Sequence, residues 1–294
     1  MKQRLITSAI ITVGLIAVLF LSWTPVYPAV LAFFASVAVF EVLRTFRLDK
    51  KLFIAIPSYV LSAVMPCLAY IFDTFEISII GISHTFSFLL IFALTVYIFL
   101  FYLFVVVVFE RGKMKFAEAS SAFISVFYIV ASFSALVLMR YIDKIGLFCL
   151  GPVLISAWIT DCGAYFAGYF FGKHKLIPEV SPKKTVEGAI GGVLSAVAGM
   201  MLYGLIANHI TSNIEGITTV IPNYLVLALS GAILSVVSQI GDLIASVIKR
   251  EHGVKDYGNI FPGHGGIMDR FDSVIAVSMI TLVICLIFPP FAAA

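Results

Sequence analysis

The chain has 294 residues, of which 61% are hydrophobic and only 12% are charged. Ordinary soluble domains contain about 25% charged residues, and a single soluble core stops growing near ~250–300 residues. This composition excludes an ordinary soluble globular protein and indicates a protein embedded in lipid. The net charge of +3 is too small to indicate a nucleic-acid partner, and none is expected.

Nine apolar stretches are each long enough to cross a hydrocarbon core of ~30 Å, which takes about 20 helical residues. The predicted spans are Leu5–Leu21, Val26–Leu43, Leu52–Phe72, Phe86–Phe109, Ala122–Met139, Leu147–Phe170, Ala189–Ala207, Tyr224–Ile248 and Ser273–Phe288. The first stretch lacks a small-residue cleavage site, so we interpret it as a span and not as a signal peptide. The predicted fold class is therefore all-α, a polytopic transmembrane helical protein of about nine spans.

The basic residues alternate between the two sides of this arrangement. With the N-terminus in the cytoplasm, all of the 19 Lys and Arg residues except Arg140 and Lys144 fall in cytoplasmic segments. Because cytoplasmic loops carry an excess of Lys and Arg, this pattern predicts a cytoplasmic N-terminus and an external C-terminus.

The two halves of the chain differ in their loops. Residues 1–146 are predicted to form an N-terminal transmembrane scaffold of about five spans with short loops. Residues 147–294 are predicted to form a C-terminal catalytic region of about four spans. Its cytoplasmic loops 172–188 and 249–271 are long and rich in Gly, Pro, Lys, Asp and His. Ordered loops of this length are usually functional.

Glu41 and Asp161 are carboxylates that fall inside the predicted spans. Glu41 lies near the inner end of the second span, and we interpret it as a surface pair with Arg44, one helical turn later. Asp161 lies about ten residues from the inner end of the sixth span. An ionised carboxylate at that depth is costly unless it meets a cation or water, so Asp161 is a candidate functional residue.

The loop before the seventh span contains a possible anion site. Ser181 is predicted to cap a helix that has Pro182 at its first position. Lys183, Lys184 and Thr185 would then lie in the first turn, where free backbone N–H groups and the helix dipole favour a phosphate. An ordinary cap in a basic loop is the alternative, and it stays open here. Glycines that would permit close helix approach follow at Gly188, Gly191 and Gly192.

A polar stripe runs down the inner half of the eighth span. Its members, spaced three or four residues apart, are Ser235, Gln239, Asp242, Ser246 and Lys249. Lipid cannot satisfy such a stripe, so it must face protein or a water-filled cavity. The following glycine-rich segment lets the backbone turn back, so Asp242 and Asp269 are predicted to approach each other. Two carboxylates near Lys and Arg are expected for divalent metals that neutralise phosphates.

The run from Ser246 to Asp272 resembles the complete signature of phosphatidate cytidylyltransferases, also called CDP-diacylglycerol synthases. The matching positions are Ser246, Lys249, Arg250, Lys255, Asp256, His264, Gly265, Gly266, Asp269, Arg270 and Asp272. The segments Asp161–Tyr165 and Ser181–Gly188 resemble the family's other common segment, although Cys162 stands where Ser or Thr is expected. The resemblance covers roughly Leu147 to the end of the chain, and the first half matches in hydropathy only.

This resemblance implies a reaction of CTP with phosphatidic acid that gives CDP-diacylglycerol and pyrophosphate. It implies Mg²⁺ as cofactor, in a two-metal site or with K⁺ as a helper, and a homodimer in contact with membrane lipids. The expected location is a bacterial inner membrane with the site facing the cytoplasm.

Residue roles follow from this resemblance and from the charge of the substrates. The candidate catalytic residues are Asp242, Asp269, Lys249, Asp161 and His264. The candidate substrate-binding residues are Arg250, Lys255, Arg270, Ser246, Lys183, Lys184 and Ser181. Asp242 and Asp269 are the predicted metal ligands, with Asp161 and Asp272 as weaker candidates. His264 either assists proton movement or holds the turn between its neighbouring glycines.

Two other functions compete with this interpretation. A CTP-dependent lipid kinase of the polyprenol type would also use CTP and Mg²⁺ in a membrane. A secondary transporter would explain a carboxylate in mid-span such as Asp161, but not the concentration of charge in the cytoplasmic loops.

Overall fold

The computed structural model describes residues 13–14, 16–79, 81–110, 112–214, 218–261, 263 and 265–293. The predicted first span, Leu5–Leu21, lies mostly outside the described residues. Within the described residues, eight helices are long and apolar enough to cross a membrane. The chain is therefore an all-α polytopic membrane protein, as predicted.

The eight helices correspond to the second to ninth predicted spans. They are α1 (Val26–Thr45), α2 (Leu52–Thr74), α3 (His84–Phe109), α4 (Phe116–Arg140), the helix Gly146–Phe171, α7 (Val186–Asn213), α8 (Tyr224–Glu251) and α9 (Met268–Ile287). The helix Gly146–Phe171 consists of α5 (Gly146–Leu154), a π-helical turn (Ile155–Ile159) and α6 (Thr160–Phe171).

Two short two-stranded antiparallel sheets complete the described structure. Strand β1 (Lys175–Ile177) pairs with β2 (Ser181–Thr185), and β3 (Val220–Pro222) pairs with β4 (Phe291–Ala293). Several helices extend beyond the predicted spans, and α4 begins six residues before Ala122. Hydropathy falls where polar side chains begin, whereas backbone hydrogen bonding continues to the helix cap.

Residue contacts divide the chain into two compact units. Unit 1 comprises Met1–Leu138 and Glu251–Phe271, and unit 2 comprises Met139–Arg250 and Asp272–Ala294. The two units are defined by packing, which does not distinguish scaffold residues from catalytic ones. The division into a scaffold up to residue 146 and a catalytic region from residue 147 therefore stays a prediction.

In unit 1 the core lies between α1 and its neighbours. Ala35 and Ala38 of α1 are fully buried, and the Tyr27 hydroxyl donates to the Leu136 carbonyl of α4 at 3.2 Å. The Phe271 ring packs against rings of the first and fourth helices. Its centroid lies 5.4 Å from that of Phe34 and 5.7 Å from that of Phe133. These contacts fix the end of the segment Glu251–Phe271 within unit 1.

In unit 2, α6 and α7 pack closely against each other. A Cβ at Gly191 would collide with the Cβ of Ala167, and one at Gly192 would lie 3.0 Å from the Thr160 carbonyl oxygen. The predicted close helix approach at these glycines is confirmed. The Tyr203 hydroxyl of α7 donates to the Phe148 carbonyl at 3.0 Å.

Helix α1 ends in a left-handed residue that is not glycine. Arg47 has φ 59°, and the Leu48 N–H donates to the Leu43 carbonyl at 2.8 Å while the Arg47 N–H donates to the Arg44 carbonyl at 3.0 Å. This pair of hydrogen bonds defines a Schellman end, in which glycine is usual. An L side chain in this conformation costs roughly 1–2 kcal/mol.

Replacing Arg47 by glycine should therefore stabilise the protein. The relief of strain exceeds the added entropy of the unfolded chain, so we expect a gain of about 0.5–1 kcal/mol. The midpoint of thermal unfolding in detergent should rise for Arg47→Gly. The control is Lys50→Gly in the same loop, which has no positive φ to relieve. An equal rise for both variants would contradict the assignment.

Candidate functional site

The N-terminal part of the polar stripe of α8 faces protein, as predicted. Ser235 and Gln239 are buried, and the Gln239 side-chain amide donates to the Ala189 carbonyl of α7 at 3.3 Å and to the Ser235 hydroxyl at 3.4 Å. One turn later on the same helix, Asp242 faces strand β2. The stripe thus meets hydrogen-bonding groups of its neighbours where lipid would leave it unsatisfied.

Asp242 forms an ion pair with Lys184. The Lys184 Nζ and the Asp242 Oδ2 lie 2.5 Å apart, and both side chains are about three-quarters covered, at 27% and 30% exposure. Solvent screens such a pair less than it screens a pair on an open surface. The sequence predicted Asp242 as a metal ligand and Lys184 as a substrate-binding residue, and here the two residues neutralise each other.

Two further carboxylates belong to this part of unit 2. Asp161, Asp242 and Lys249 all lie near enough to Asp272 to interact with it electrostatically. One oxygen of Asp272 accepts the Ser273 N–H at 2.8 Å. The acidic cluster is defined here as the three carboxylates of α6, α8 and α9: Asp161, Asp242 and Asp272. The cluster shares this part of unit 2 with Lys184 and Lys249.

The acidic cluster alone does not form a complete metal cage. Across the described ranges, no three His, Cys, Asp or Glu side chains are arranged to hold a metal ion by themselves. Asp161 is exposed and lies two residues after the π-helical turn Ile155–Ile159. Such turns within α-helices occur frequently at functional sites. The metal-binding roles of these carboxylates stay predictions.

The predicted helix start at Ser181 is wrong. Residues Ser181–Thr185 form strand β2, with Thr185 opposite Lys175, and α7 begins at Val186. Thr185 is the actual cap: it has extended φ and ψ of −124° and 156°, and its hydroxyl accepts the Gly188 N–H at 3.1 Å. Pairing with β1 keeps the segment extended up to Thr185, so the helix starts four residues later than predicted.

This correction moves two lysines out of the helix. Lys183 and Lys184 lie on the strand before α7 and not in its first turn. Lys183 is exposed, whereas its neighbour Lys184 is partly covered and pairs with Asp242, as expected for alternating side chains on a strand. Binding of substrate by Ser181, Lys183 and Lys184 stays a prediction.

Glu187 fixes the base of the β1–β2 hairpin, a role that sequence reasoning missed. Its carboxylate accepts the Lys173 N–H at 3.1 Å and the His174 N–H at 3.2 Å, and it lies 2.6 Å from the His174 Nδ1. The Val186 N–H donates in turn to the His174 carbonyl at 2.9 Å. An acidic residue in the first helical turn was the available signal.

The signature residues between Glu251 and Phe271 lie in unit 1, where Asp269 holds the loop before α9. The Asp269 Oδ2 accepts the Tyr257 N–H at 2.8 Å and the Gly266 N–H at 2.9 Å, and the side chain is buried. Asp242 and Asp269 belong to different units, so their approach stays a prediction. His264 lies outside the described residues.

The remaining substrate-binding candidates sit near the ends of α8 and α9. Ser246 and Lys249 are partly buried on α8, and Arg250 is exposed one residue later. Lys255 and Arg270 are also exposed. Exposed cations at helix ends are available to an anionic substrate, and substrate binding by these residues stays a prediction.

The interpretation of Glu41 as a surface residue is wrong, although Arg44 does interact with it electrostatically. Glu41 is only 1% exposed, and its carboxylate accepts the Ile267 N–H at 3.1 Å and the Met268 N–H at 2.8 Å. Arg44 is exposed and lies over the Phe40 ring, 5.8 Å from its centroid. The partners of Glu41 are more than 220 residues away in sequence, so local spacing could not reveal them.

The Thr185 cap leads to a stability prediction. Removing the hydroxyl in Thr185→Ala leaves the Gly188 N–H without its acceptor, and loss of such a cap costs about 1 kcal/mol. Thr185→Ser keeps the hydroxyl and should retain most of that free energy. Denaturant unfolding in detergent compares the two variants. Equal stability of Thr185→Ala and the parent protein would show that the cap contributes nothing.

Known proteins that are similar to this chain show its family. The model of the Cytidylyltransferase family matches residues 2–288. The chain is 35% identical over 285 residues to the phosphatidate cytidylyltransferase of Bacillus subtilis (strain 168), covering 94% of both proteins. It is 39% identical over 172 residues to that of Staphylococcus haemolyticus (strain JCSC1435), covering 58% of this chain and 60% of the relative. The chain belongs to the cytidylyltransferase family.

Proposed function

We propose that this chain transfers the cytidylyl group of CTP to phosphatidic acid, giving CDP-diacylglycerol and pyrophosphate for phospholipid synthesis. The observation that carries the proposal is the ion pair between Lys184 on β2 and Asp242, which belongs to the acidic cluster on helices long enough to span a membrane. Membership of the family supports the cytidylyl group as the group transferred. The names of the bacterial relatives support phosphatidate as its acceptor.

The reaction needs alignment and charge compensation more than a base. A phosphate oxygen of phosphatidate attacks the α-phosphorus of CTP and forms a new P–O bond. The bond between the α-phosphorus and its bridging oxygen breaks, and pyrophosphate leaves with those electrons. Because the nucleophile is already anionic, the main barrier is the approach of two polyanions.

The cationic side chains of this chain lower that barrier by offsetting the negative charge of the substrates. Lys184 can exchange the Asp242 carboxylate for a substrate phosphate, because both are anionic acceptors for its ammonium group. Lys249, Arg250, Lys255 and Arg270 are assigned to the triphosphate and the leaving pyrophosphate. Fixed cations of this kind stabilise the charge that develops on the leaving group.

The donor set of the acidic cluster suits Mg²⁺. Carboxylate oxygens are its preferred protein ligands, and Mg²⁺ is usually bound by one or two carboxylates together with substrate phosphates. Asp242 and Asp272 are the residues assigned to hold it, with Asp161 as a further candidate. Asp269 fits less well, because its Oδ2 already accepts two backbone N–H groups. When bound, Mg²⁺ would offset negative charge on the phosphates.

The location and assembly also belong to the proposal. The relatives are bacterial and the chain is an integral membrane protein, which supports a bacterial inner membrane. The distribution of Lys and Arg supports a cytoplasmic site, to which CTP has direct access. A homodimer and a helping role for K⁺ are carried over from the family resemblance.

The position of the label in CTP decides between the proposed reaction and a lipid kinase. Purified protein with phosphatidate, Mg²⁺ and CTP labelled at the α-phosphorus should give a labelled lipid after extraction. CTP labelled at the γ-phosphorus should give labelled pyrophosphate and no labelled lipid. A lipid labelled only from the γ position would identify a kinase and overturn the proposal.

The metal assignment predicts a specific loss on changing Asp242. Asp242→Asn removes a negative ligand, so turnover should fall about 100-fold or more, and the Mg²⁺ concentration for half-maximal rate should rise. The control is Asp73→Asn, which removes a carboxylate 3.2 Å from His84 in unit 1. Near-parental turnover of Asp242→Asn with unchanged Mg²⁺ dependence would remove Asp242 from the metal site.

A further inference from the structure

The buried carboxylate of Glu41, a residue of α1, lies at the start of α9. Its side chain projects from the membrane-spanning α1, and its two oxygens accept consecutive backbone amides: Oε1 from Ile267 at 3.1 Å and Oε2 from Met268 at 2.8 Å. Met268 is the first residue of α9, where N–H groups lack partners within the helix. A carboxylate there satisfies two of them and interacts favourably with the helix dipole.

Two glycines of the loop between α8 and α9 (252–267, here called the signature loop) pack directly on this carboxylate. A Cβ at Gly258 would lie 2.7 Å from the Glu41 Cδ and would collide with its Oε1. A Cβ at Gly266 would collide with both carboxylate oxygens. Only glycine leaves room for the Glu41 carboxylate at these two positions, so the loop conformation and the carboxylate depend on each other.

A second carboxylate holds the same loop from within the signature. Asp269 accepts the Tyr257 and Gly266 N–H groups through its Oδ2. Gly266 therefore contacts both acidic side chains, since its N–H binds Asp269 and its Cα faces Glu41. All of these residues lie within unit 1.

We propose that Glu41 is a positioning residue for the transfer reaction. It fixes the first turn of α9 and the glycine-rich loop before it, and thereby sets the orientation of Asp269 and the adjacent Arg270. The inference rests on the proposed function, because Arg270 is assigned there to the triphosphate of CTP. Glu41 itself does not touch the substrates.

The test uses Glu41→Gln in the full-length protein. A glutamine amide offers one acceptor oxygen, and its NH₂ group faces one of the two backbone donors, so one N–H loses its partner. Per folded molecule, we expect kcat to fall at least tenfold and the apparent KM for CTP to rise at least threefold. The apparent KM for phosphatidate should stay within twofold of the parental value.

The matched control is Glu118→Gln. Glu118 also lies in the first turn of a helix in unit 1, and it accepts the Lys115 N–H at 2.9 Å and the Lys51 ammonium at 2.7 Å. It makes no described contact with the signature loop. Its variant should keep turnover and both KM values within twofold of the parent.

Hydrogen exchange gives a second measurement that needs no activity. Peptides covering residues 257–268 should exchange at least tenfold faster in Glu41→Gln than in the parent, with α2 and α3 unchanged. If Glu41→Gln does not fold, Glu41→Asp is measured instead. The aspartate keeps both acceptor oxygens on a side chain one methylene shorter. The fall in kcat and the rise in the exchange rate should then be smaller than in Glu41→Gln, but each at least threefold.

The outcomes separate this inference from the proposed function. A parent without cytidylyltransferase activity would overturn the proposed function, and the role of Glu41 in that reaction with it. An active parent whose folded Glu41 variant keeps parental turnover and KM for CTP would overturn the positioning role alone. Lower yield of folded protein with unchanged kinetics per molecule would mark a purely structural role and would also overturn it.

Discussion

The hydrocarbon core of a bilayer neither donates nor accepts hydrogen bonds, and the polar groups within the spans therefore depend on the protein for their partners. Three side chains show different solutions. Gln239 binds a carbonyl and a hydroxyl, Asp242 binds an ammonium group, and Glu41 binds two backbone amides. Each solution ties two segments of the chain together. The polar side chains of this apolar protein are thus also its long-range structural constraints.

The same constraint affects the proposed chemistry. A carboxylate such as Asp242 needs a counter-charge before substrate arrives, and Lys184 supplies it. If a phosphate and a divalent cation bound together, Lys184 would exchange its carboxylate partner for the phosphate, and Asp242 would exchange its ammonium partner for the cation. Such an exchange leaves no isolated charge in the membrane region, which would be costly. A resting ion pair is therefore compatible with a binding role for both residues.

Hydropathy predicted the described spans well, because the length and apolarity of each stretch are local properties. The ends of the helices were less predictable. Ser181 and Thr185 can both cap a helix, and the choice of Thr185 depends on pairing between β1 and β2. The role of Glu41 was not predictable from spacing, because its partners lie more than 220 residues away. Local chemistry thus suggests candidates, and tertiary contacts select among them.

The contacts of Glu41 also change the meaning of the glycines in the signature. In sequence, the glycines of the run from Phe261 to Gly266 indicated a loop that turns back toward α8. In the structure, Gly258 and Gly266 leave space for a carboxylate from α1. A motif in the C-terminal half is therefore shaped by a residue in the half that was interpreted as scaffold. Glu41 and Asp269 hold the same loop from two helices. A substitution at either carboxylate should therefore change the position of the other carboxylate through the Gly266 backbone.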